Sequence, residues 1–259
     1  MFRRIGENIV KLTRNVRKET DLDRAAGLYW RMSEVDDRVQ DQSHWCGAMR
    51  WGRDRWIEYG DFYFNEALKN LQRFAAPEYV ECLSAKVALE WGCGGGSIVR
   101  PLCQHFSLVY GVDISGATLT ECENQMVKLG LNNFHKVFVP SQNPEDAVKE
   151  AVEGSVDFII SIGVFQHFPS KRYTQDVLHT MGRLLKSGAF ALIQVRYFEG
   201  LQKFRQKDQD YARNVIYMTS FTIEEFSSQL KTAGFTLLAR ERDLEGEGDC
   251  HDYYFIRKR

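Results

Sequence analysis

The feature that most constrains the fold is a regular alternation of short apolar strands and helical segments between residues 87 and 195. Five strands are predicted, over Val87 to Trp91, Leu108 to Ile114, Phe134 to Val139, Val156 to Ile162 and Phe190 to Val195. Helices are predicted between them, over about Ser97 to Phe106, Ala117 to Leu129, Glu145 to Val152 and Thr174 to Leu185, the last stopped by Gly188. Because strands separated by crossover helices pair in parallel, the pattern predicts an α/β fold with helices on both faces of the sheet.

The C-terminal part of the chain changes pattern. Thr222-Ile223-Glu224-Glu225 has the spacing of a capping box, which predicts a helix that runs to Ala233. Two further strands, Phe235 to Asp243 and Tyr253 to Arg257, are separated by a turn at Gly246 to Asp249, so they form an antiparallel hairpin. We therefore expect a Rossmann-like, mostly parallel sheet of seven strands that ends in an antiparallel hairpin.

The N-terminal third differs from the rest, because it looks helical and contains four of the five tryptophans. A boundary near Ser84 divides the chain into a helical N-terminal extension over residues 1–84 and an α/β domain over residues 85–259. Within the extension, Met1 to Lys18 carries apolar residues at helical spacing and six basic residues against one acid. That segment predicts an amphipathic basic helix packed on its own domain.

Composition and charge exclude several kinds of partner. The formal net charge of −1 gives no overall field that would favour nucleic acid, and no run of about 18 apolar residues predicts a membrane span. The six cysteines form no C-x-x-C pair and no cysteine-histidine cluster with zinc spacing, so we predict free thiols and no metal site. The N-terminus also lacks the apolar segment of a secretion signal, so we expect a cytoplasmic protein.

A glycine-rich turn, Gly92 to Gly96, lies between the first predicted strand and the first helix. Glycines at this place permit positive φ angles and let the backbone approach a ligand closely at the helix N-terminus. The second strand ends at Asp113, where a carboxylate can accept hydrogen bonds from both hydroxyls of a ribose. A nicotinamide-dinucleotide pattern that starts at Gly92 requires glycine at position 97, which is Ser97, so an oxidoreductase is disfavoured.

Four segments together resemble the class I S-adenosylmethionine-dependent methyltransferases, over about Ala85 to Arg259. The segments are Leu89-Glu90-Trp91-Gly92-Cys93-Gly94-Gly95-Gly96, Gly111-Val112-Asp113-Ile114-Ser115, Val156-Asp157-Phe158-Ile159-Ile160-Ser161 and Leu184-Leu185-Lys186-Ser187-Gly188-Ala189-Phe190. The resemblance implies a transferase whose cofactor is S-adenosyl-L-methionine.

The resemblance also implies where the cofactor binds. Glu90 and the glycines lie beside its methionine part, Asp113 holds the ribose, and Ile114 flanks the adenine. The turn Ser141-Gln142-Asn143 approaches the adenine amino group, although the family commonly has an acidic residue there. The cofactor-binding residues expected in this way are Glu90, Gly92, Cys93, Gly94, Gly96, Asp113, Ile114, Ser115, Ser141, Gln142, Ser161 and Gly163.

The loop after the fourth predicted strand, Gly163 to Pro169, contains the candidate catalytic residue His167. An imidazole is a suitable general base near neutral pH, and ligands of this topology bind at the carboxyl end of the sheet. The alternative is that His167 orients the loop or packs under the cofactor. If the base lies elsewhere, His44 or His251 is the next candidate.

The acceptor is limited mainly by motifs that the sequence lacks. No [Asp/Asn]-Pro-Pro-[Tyr/Phe] and no Pro-Cys follows the fourth strand, which disfavours amino and C5 methylation of nucleic-acid bases. A small-molecule or glycan acceptor remains, methylated on oxygen or on nitrogen. The segment His44 to Arg53, with Trp56 and Tyr59, is a candidate acceptor-side lid, although the tryptophans could equally pack the extension onto the sheet. Further candidates on the acceptor side follow the fifth strand and precede the last one: Arg196, Tyr197, His251 and Asp252.

Two other functions stay open on the sequence. A catalytically inactive module would keep the cofactor site and lack turnover, and the intact glycine turn and Asp113 count against it. A nicotinamide-dependent oxidoreductase is disfavoured by Ser97 and by the terminal hairpin.

Overall fold

A seven-stranded sheet organises the part of the chain that this computed structural model describes, which is residues 21–140, 143–200, 202–243 and 251–259. The strands lie in the order β3-β2-β1-β4-β5-β7-β6. Their bounds are β1 Val87–Trp91, β2 Leu108–Asp113, β3 Phe134–Phe138, β4 Val156–Ser161, β5 Leu185–Arg196, β6 Phe235–Asp243 and β7 His251–Lys258. Strands β1 to β5 pair in parallel, and β7 runs antiparallel to both β5 and β6. The predicted sheet is confirmed.

The helices occupy the connections and the N-terminal extension. Residues 21–31 are helical and are called α1. The other α-helices are α2 Asp37–Gln42, α3 Arg53–Phe74, α4 Pro77–Glu81, α5 Val99–His105, α6 Gly116–Lys128, α7 Ala147–Glu150, α8 Lys171–Leu184, α9 Tyr211–Asn214 and α10 Ile223–Thr232. None of the described helices is both long and apolar enough to cross a membrane.

Both faces of the sheet are covered, because side chains alternate between the faces along each strand. In β4, Phe158 and Ile160 belong to the apolar cluster that packs against α3, α5 and α6. Ile159, between them, belongs to the cluster on the other face, against α8 and α10. A strand that is buried on both sides reads as a continuous apolar run, which is the pattern from which β4 was predicted.

One predicted boundary is wrong. The helix expected over Thr174 to Leu185 and stopped by Gly188 runs instead from Lys171 to Leu184, and β5 begins at Leu185. The Ser170 hydroxyl accepts a hydrogen bond from the Tyr173 backbone N–H, 3.1 Å away, and this N-cap starts the helix early. Gly188 lies inside β5 with a φ of +79°.

The C-terminal predictions are confirmed in detail. Thr222 and Glu225 form the reciprocal capping box at the start of α10, with the Thr222 N–H donating to the Glu225 carboxylate over 2.9 Å. Strands β6 and β7 form the antiparallel hairpin. The turn predicted at Gly246 to Asp249 and the basic helix predicted at Met1 to Lys18 lie outside the described residues.

The N-terminal extension packs on the first face of the sheet through α3. Gly60 in α3 lies against the start of α5, since a β-carbon built on it would stand 1.9 Å from the Ser97 carbonyl oxygen. Arg100 of α5 fixes the same contact, because its guanidinium pairs with Asp61 and donates to the Ile57 carbonyl over 3.2 Å. The extension and the α/β domain therefore share one close helix contact.

We expect Gly60→Ala to lower the free energy of unfolding by about 1 to 3 kcal/mol, because the new methyl group must push α3 away from a backbone carbonyl. Gly116→Ala is the matched control, since it is also helical and a β-carbon there meets no atom within 4 Å. Urea denaturation of both variants measures the difference. Equal stability of the Gly60 variant and the wild type would show that α3 does not pack this closely on the start of α5.

Candidate active site

A cavity opens at the carboxyl ends of β1, β2 and β4, where the strand order reverses from β1-β2-β3 to β4-β5. Such switch points are where ligands bind in open α/β sheets. Eight of the residues predicted from the sequence line it: Glu90, Gly92, Cys93, Gly94, Asp113, Ile114, Gly163 and His167. The structure thus brings the glycine turn, the end of β2 and the loop after β4 into one site.

Three residues of the glycine turn have positive φ angles, which explains why glycine is found there. Gly92, Gly94 and Gly96 have φ angles of +76°, +50° and +86°, which residues with a β-carbon rarely adopt. The N–H groups of Gly92 and Cys93 both donate to the Val112 carbonyl oxygen, at 2.8 and 3.0 Å. These bonds hold the turn against the end of β2.

Asp113 connects the end of β2 to the glycine turn. One carboxylate oxygen accepts from the Gly94 N–H over 3.1 Å, and the other accepts from the Ser115 N–H over 2.9 Å. Each oxygen has a second lone pair, so the carboxylate can still accept hydrogen bonds from a ligand in the cavity. Burial raises the pKa of Asp113 to about 6, although the backbone bonds from Ser115, Gly94 and Ile114 oppose the rise.

Glu90 supplies a second carboxyl group at the end of β1. It is buried, and its Oε2 has no hydrogen-bond partner among the described residues. Burial first, and then the nearby Asp113, raise the pKa of Glu90 well above its ordinary value. An unsatisfied buried carboxyl group is costly, so this site is built for a ligand that carries a hydrogen-bond donor or a positive charge.

Residues 37–51, called here the lid segment, close the outer side of the glycine turn. The Gly95 N–H donates to the Ser43 carbonyl oxygen over 2.6 Å. A β-carbon on Gly94 would stand 2.5 Å from the Ser43 carbonyl oxygen, and one on Gly95 would stand 2.5 Å from that of His44. The glycines at 94 and 95 are therefore required for the approach of the lid segment.

The N-terminal extension also contributes side chains to the cavity. Trp30, His44 and Tyr59 line it, as the lid prediction anticipated for the last two. Trp51 and Trp56 are instead buried in the apolar cluster beneath, where they pack the extension onto the sheet. The aromatic residues that were predicted to form a lid therefore belong to two groups, one that lines the cavity and one that packs beneath it.

A chain of hydrogen bonds joins the loop after β4 to the extension. The Gly163 N–H donates to the Gln194 side-chain oxygen over 2.7 Å, and the Gln194 amide donates to the Tyr253 hydroxyl over 2.9 Å. The Tyr253 hydroxyl lies 3.2 Å from that of Tyr63 on α3. This network fixes the position of α3, and of its cavity-lining Tyr59, relative to Gly163.

His167 faces the cavity from a single 3₁₀ turn, Phe165–His167. Its Nδ1 lies 2.9 Å from the Val215 carbonyl oxygen, and because a carbonyl only accepts, Nδ1 carries the proton. The Gly163 backbone also hydrogen-bonds the ring. Burial lowers the pKa of His167 to about 4, so the ring is neutral at physiological pH. Its role as the general base stays a prediction.

Comparison with known proteins shows that part of this chain is similar to methyltransferases. Residues 89–191 match the family described as "Methyltransferase domain", and this range runs from β1 into β5. A ubiquinone biosynthesis O-methyltransferase of Nitrosococcus oceani is 28% identical over 145 residues, which are 54% of this chain and 54% of that protein. The chain therefore matches about half the length of this curated relative.

Residues 89–191 of this chain form a methyltransferase domain. The fold is also that of solved methyltransferases. The magnesium protoporphyrin IX methyltransferase of Synechocystis PCC 6803, solved with bound SAH, covers 92% of this chain and all of its own at a TM-score of 0.61 and 14% identity. A SAM-dependent methyltransferase of Methanosarcina mazei covers 71% of this chain and 97% of its own at a TM-score of 0.54 and 17% identity.

Some residues that the family resemblance singled out lie beside the cavity without lining it. Gly96 faces α6, since a β-carbon there would stand 2.6 Å from the Cys122 sulfur. The Ser115 hydroxyl caps α6 and lies 2.7 Å from the Ser33 hydroxyl. The Ser161 hydroxyl donates to the Trp91 carbonyl over 2.8 Å. All three lie behind the residues that line the cavity. Ser141 and Gln142 lie outside the described residues.

The acceptor-side candidates at the end of β5 and the start of β7, which are Arg196, Tyr197, His251 and Asp252, do not line the cavity. Asp252 is fully buried and pairs with Arg240 and Arg242, at 2.8 and 3.1 Å. The Arg242 guanidinium lies over the Tyr197 ring, and the buried Arg196 lies over Tyr217. Within the described ranges, no three His, Cys, Asp or Glu side chains converge in an arrangement that could hold a metal ion.

Sequence reasoning missed several residues of the cavity. Tyr211 is one of them: its hydroxyl donates to the His167 carbonyl over 2.7 Å and accepts from the Trp30 indole N–H over 2.9 Å. Ser43, Gln42 and Tyr173 also line the cavity. They lie far apart in the chain and belong to no motif, so no local signal marks them.

We expect Gly95→Ala to loosen the lid segment, because the added methyl group would collide with the backbone of His44 and Trp45. A strain of about 1.4 kcal/mol makes local opening roughly tenfold more frequent, so amide hydrogen exchange over residues 37–51 should accelerate by at least that factor. Gly52→Ala is the control, since a β-carbon there meets no atom within 4 Å. Unchanged protection in the Gly95 variant would show that the lid segment does not dock on the turn.

Proposed function

We propose that this protein transfers the methyl group of S-adenosyl-L-methionine to a hydroxyl group of a small-molecule acceptor. The observation that carries the proposal is the buried Oε2 of Glu90, which has no partner among the described residues and lies in the same cavity as Asp113 and the glycine turn. The cofactor carries an ammonium group and two ribose hydroxyls, which are donors for the unpartnered Oε2 of Glu90 and for the remaining lone pairs of Asp113.

Each cavity residue has a role in holding the cofactor. Glu90 would accept from its ammonium group, and the raised pKa of Glu90 means that a cation is needed to keep this carboxyl ionised. Asp113 would accept from the ribose hydroxyls with the lone pairs that Gly94 and Ser115 leave free. Gly92 and Gly94 would let the backbone approach the cofactor, and Ile114 would pack beside the adenine.

The cofactor supplies a methyl group that its sulfonium already activates. The chain therefore has to bind and orient the acceptor, exclude water and accommodate a proton. Docking of Ser43 on Gly95 closes the outer side of the cavity, and Trp30, His44 and Tyr59 leave an aromatic wall opposite the cofactor residues. The extension, residues 1–84, is thus proposed as the acceptor-side lid of the catalytic domain, residues 85–259.

The proposal is favoured over the alternatives by the shared cavity. An inactive cofactor-binding module has no need of side chains from the extension beside the glycine turn. An oxidoreductase has no comparable use for the Glu90 Oε2 atom, which has no partner among the described residues. The relative from Nitrosococcus oceani, a ubiquinone biosynthesis O-methyltransferase, supports a small-molecule acceptor over a glycan. A cytoplasmic location and the absence of a nucleic-acid partner stay predictions.

Titration calorimetry tests the proposal with S-adenosylhomocysteine (SAH), the product form of the cofactor, and with NADH as a control ligand. We expect SAH to bind and NADH not to bind. Asp113→Asn should weaken SAH binding by about ten- to a hundredfold, because charge-assisted hydrogen bonds contribute about 1.5 to 3 kcal/mol. Glu150→Gln, an exposed change of the same charge on α7, should leave affinity unchanged. NADH binding without SAH binding would overturn the proposal.

The pH dependence of SAH binding gives a second prediction. Asp113 must be ionised to accept from both ribose hydroxyls, and its pKa is about 6 in the free protein. The contribution of Asp113 to affinity should therefore fall as the pH drops through 6, by up to tenfold per unit. Calorimetry across this range should show that Asp113→Asn lacks the step near pH 6. A step of the same size in that variant would assign it to another group.

A further inference from the structure

His44 occupies an unusual position in the lid segment. Its backbone has a φ of +57°, a left-handed conformation that is uncommon for residues with a β-carbon. The ring packs on Trp51 with centroids 4.0 Å apart and meets the edge of Tyr59 at 4.9 Å. Its carbonyl oxygen packs on Gly95. Both ends of the residue are therefore fixed, and the imidazole is directed into the cavity.

The His44 ring faces the end of β4. A β-carbon built on Gly163 would lie 3.9 Å from the His44 Cε1 atom and 3.6 Å from the Tyr59 hydroxyl oxygen. Gly163 is hydrogen-bonded to Gln194 of β5, so this part of the cavity wall is rigid. An acceptor held between the extension and β4 would thus have the imidazole directly beside it.

The two cavity histidines differ in what their nitrogens bind. The Nδ1 of His167 is committed to the Val215 carbonyl, and the Gly163 backbone also bonds that ring. The His44 ring makes no hydrogen bond to any described residue. Burial first, and then the neighbouring His167, lower the pKa of His44 to about 3, so it is neutral at physiological pH and has a free lone pair.

We propose that His44 is a catalytic residue that takes the proton from the hydroxyl group of a flat, aromatic acceptor such as a phenol. The inference rests on the proposed methyl transfer. The acceptor oxygen forms a bond to the methyl carbon as the bond from that carbon to sulfur breaks, and the bonding pair stays on sulfur. The acceptor proton moves to the free His44 nitrogen and is later released to water.

A phenolic acceptor fits this part of the cavity better than a sugar does. Trp30, Tyr59 and Tyr211 present ring faces and edges, which favour a flat π-system. A sugar would bring several hydroxyls that each need a partner, and an apolar wall leaves such groups unsatisfied. A ring with one or two hydroxyls needs little more than the single free acceptor on His44.

The low basicity of His44 does not prevent this step. A phenolic oxygen that is forming a third bond becomes strongly acidic, so a weak base beside it is sufficient to remove the proton. The charged and titratable groups that face His44 are His167, Arg50, Asp41, Arg55 and Tyr59. The cations among them keep the imidazole neutral before the acceptor binds.

His44→Asn tests the proposal, because asparagine tolerates the positive φ and cannot take the proton. Turnover of catechol and of 4-nitrophenol with methyl-tritiated S-adenosylmethionine should fall by about 10²- to 10⁴-fold, with SAH affinity within twofold of wild type. The loss should shrink as the pH rises through the pKa of each phenol, since the acceptor then arrives ionised. His179→Asn on the exposed side of α8 is the control and should behave as wild type.

A second measurement, of absorbance, does not depend on turnover. The absorbance of 4-nitrophenol distinguishes phenol from phenolate, so its titration into the SAH complex should show a hydrogen-bonded or ionised phenol in the wild type and the unperturbed phenol spectrum in His44→Asn. Loss of SAH affinity in that variant would instead place His44 on the cofactor and overturn the proposal. Loss of phenol turnover only in His167→Asn would return the role to His167. SAH binding without turnover of either phenol would reject the acceptor class, and absence of SAH binding would reject the proposed function itself.

Discussion

The site depends on one carboxylate, that of Asp113, which holds the glycine turn in its left-handed conformation at the end of β2. Its bond to the Gly94 N–H places the turn where Gly95 can receive the Ser43 carbonyl of the lid segment. The same turn leaves the Glu90 carboxyl group open to the cavity. The cavity and the docked lid segment thus lie on opposite sides of one short loop.

Much of this arrangement could be predicted from the sequence because it is local. Strand periodicity, the glycines after β1, the acid that ends β2 and the capping box at Thr222 each depend on neighbouring residues. These signals located Glu90, Gly92 and Asp113 in the cavity. The parallel sheet followed from the alternation of elements, and the antiparallel β7 from the hairpin pattern.

The rest depends on contacts between distant parts of the chain, which no local pattern records. Ser43 meets Gly95 and Trp30 meets Tyr211 only because the extension folds back over the carboxyl edge of the sheet. The helix before β5 begins earlier than the apolar pattern predicts because Ser170 caps it, and Gly188 lies inside β5 and does not end the helix. Gly94 was explained by ligand approach, and the structure adds the lid segment as a second reason.

A crystal structure of the full chain with bound S-adenosylhomocysteine is the most direct test of the central claim, that one closed cavity between the extension and the sheet holds the cofactor. The account predicts the ribose hydroxyls on Asp113, the ammonium group at Glu90 and the lid segment docked on Gly95, with His44 facing the sulfur side of the ligand. Electron density for the ligand at another edge of the sheet, or a lid segment displaced from the glycine turn in the complex, would contradict it.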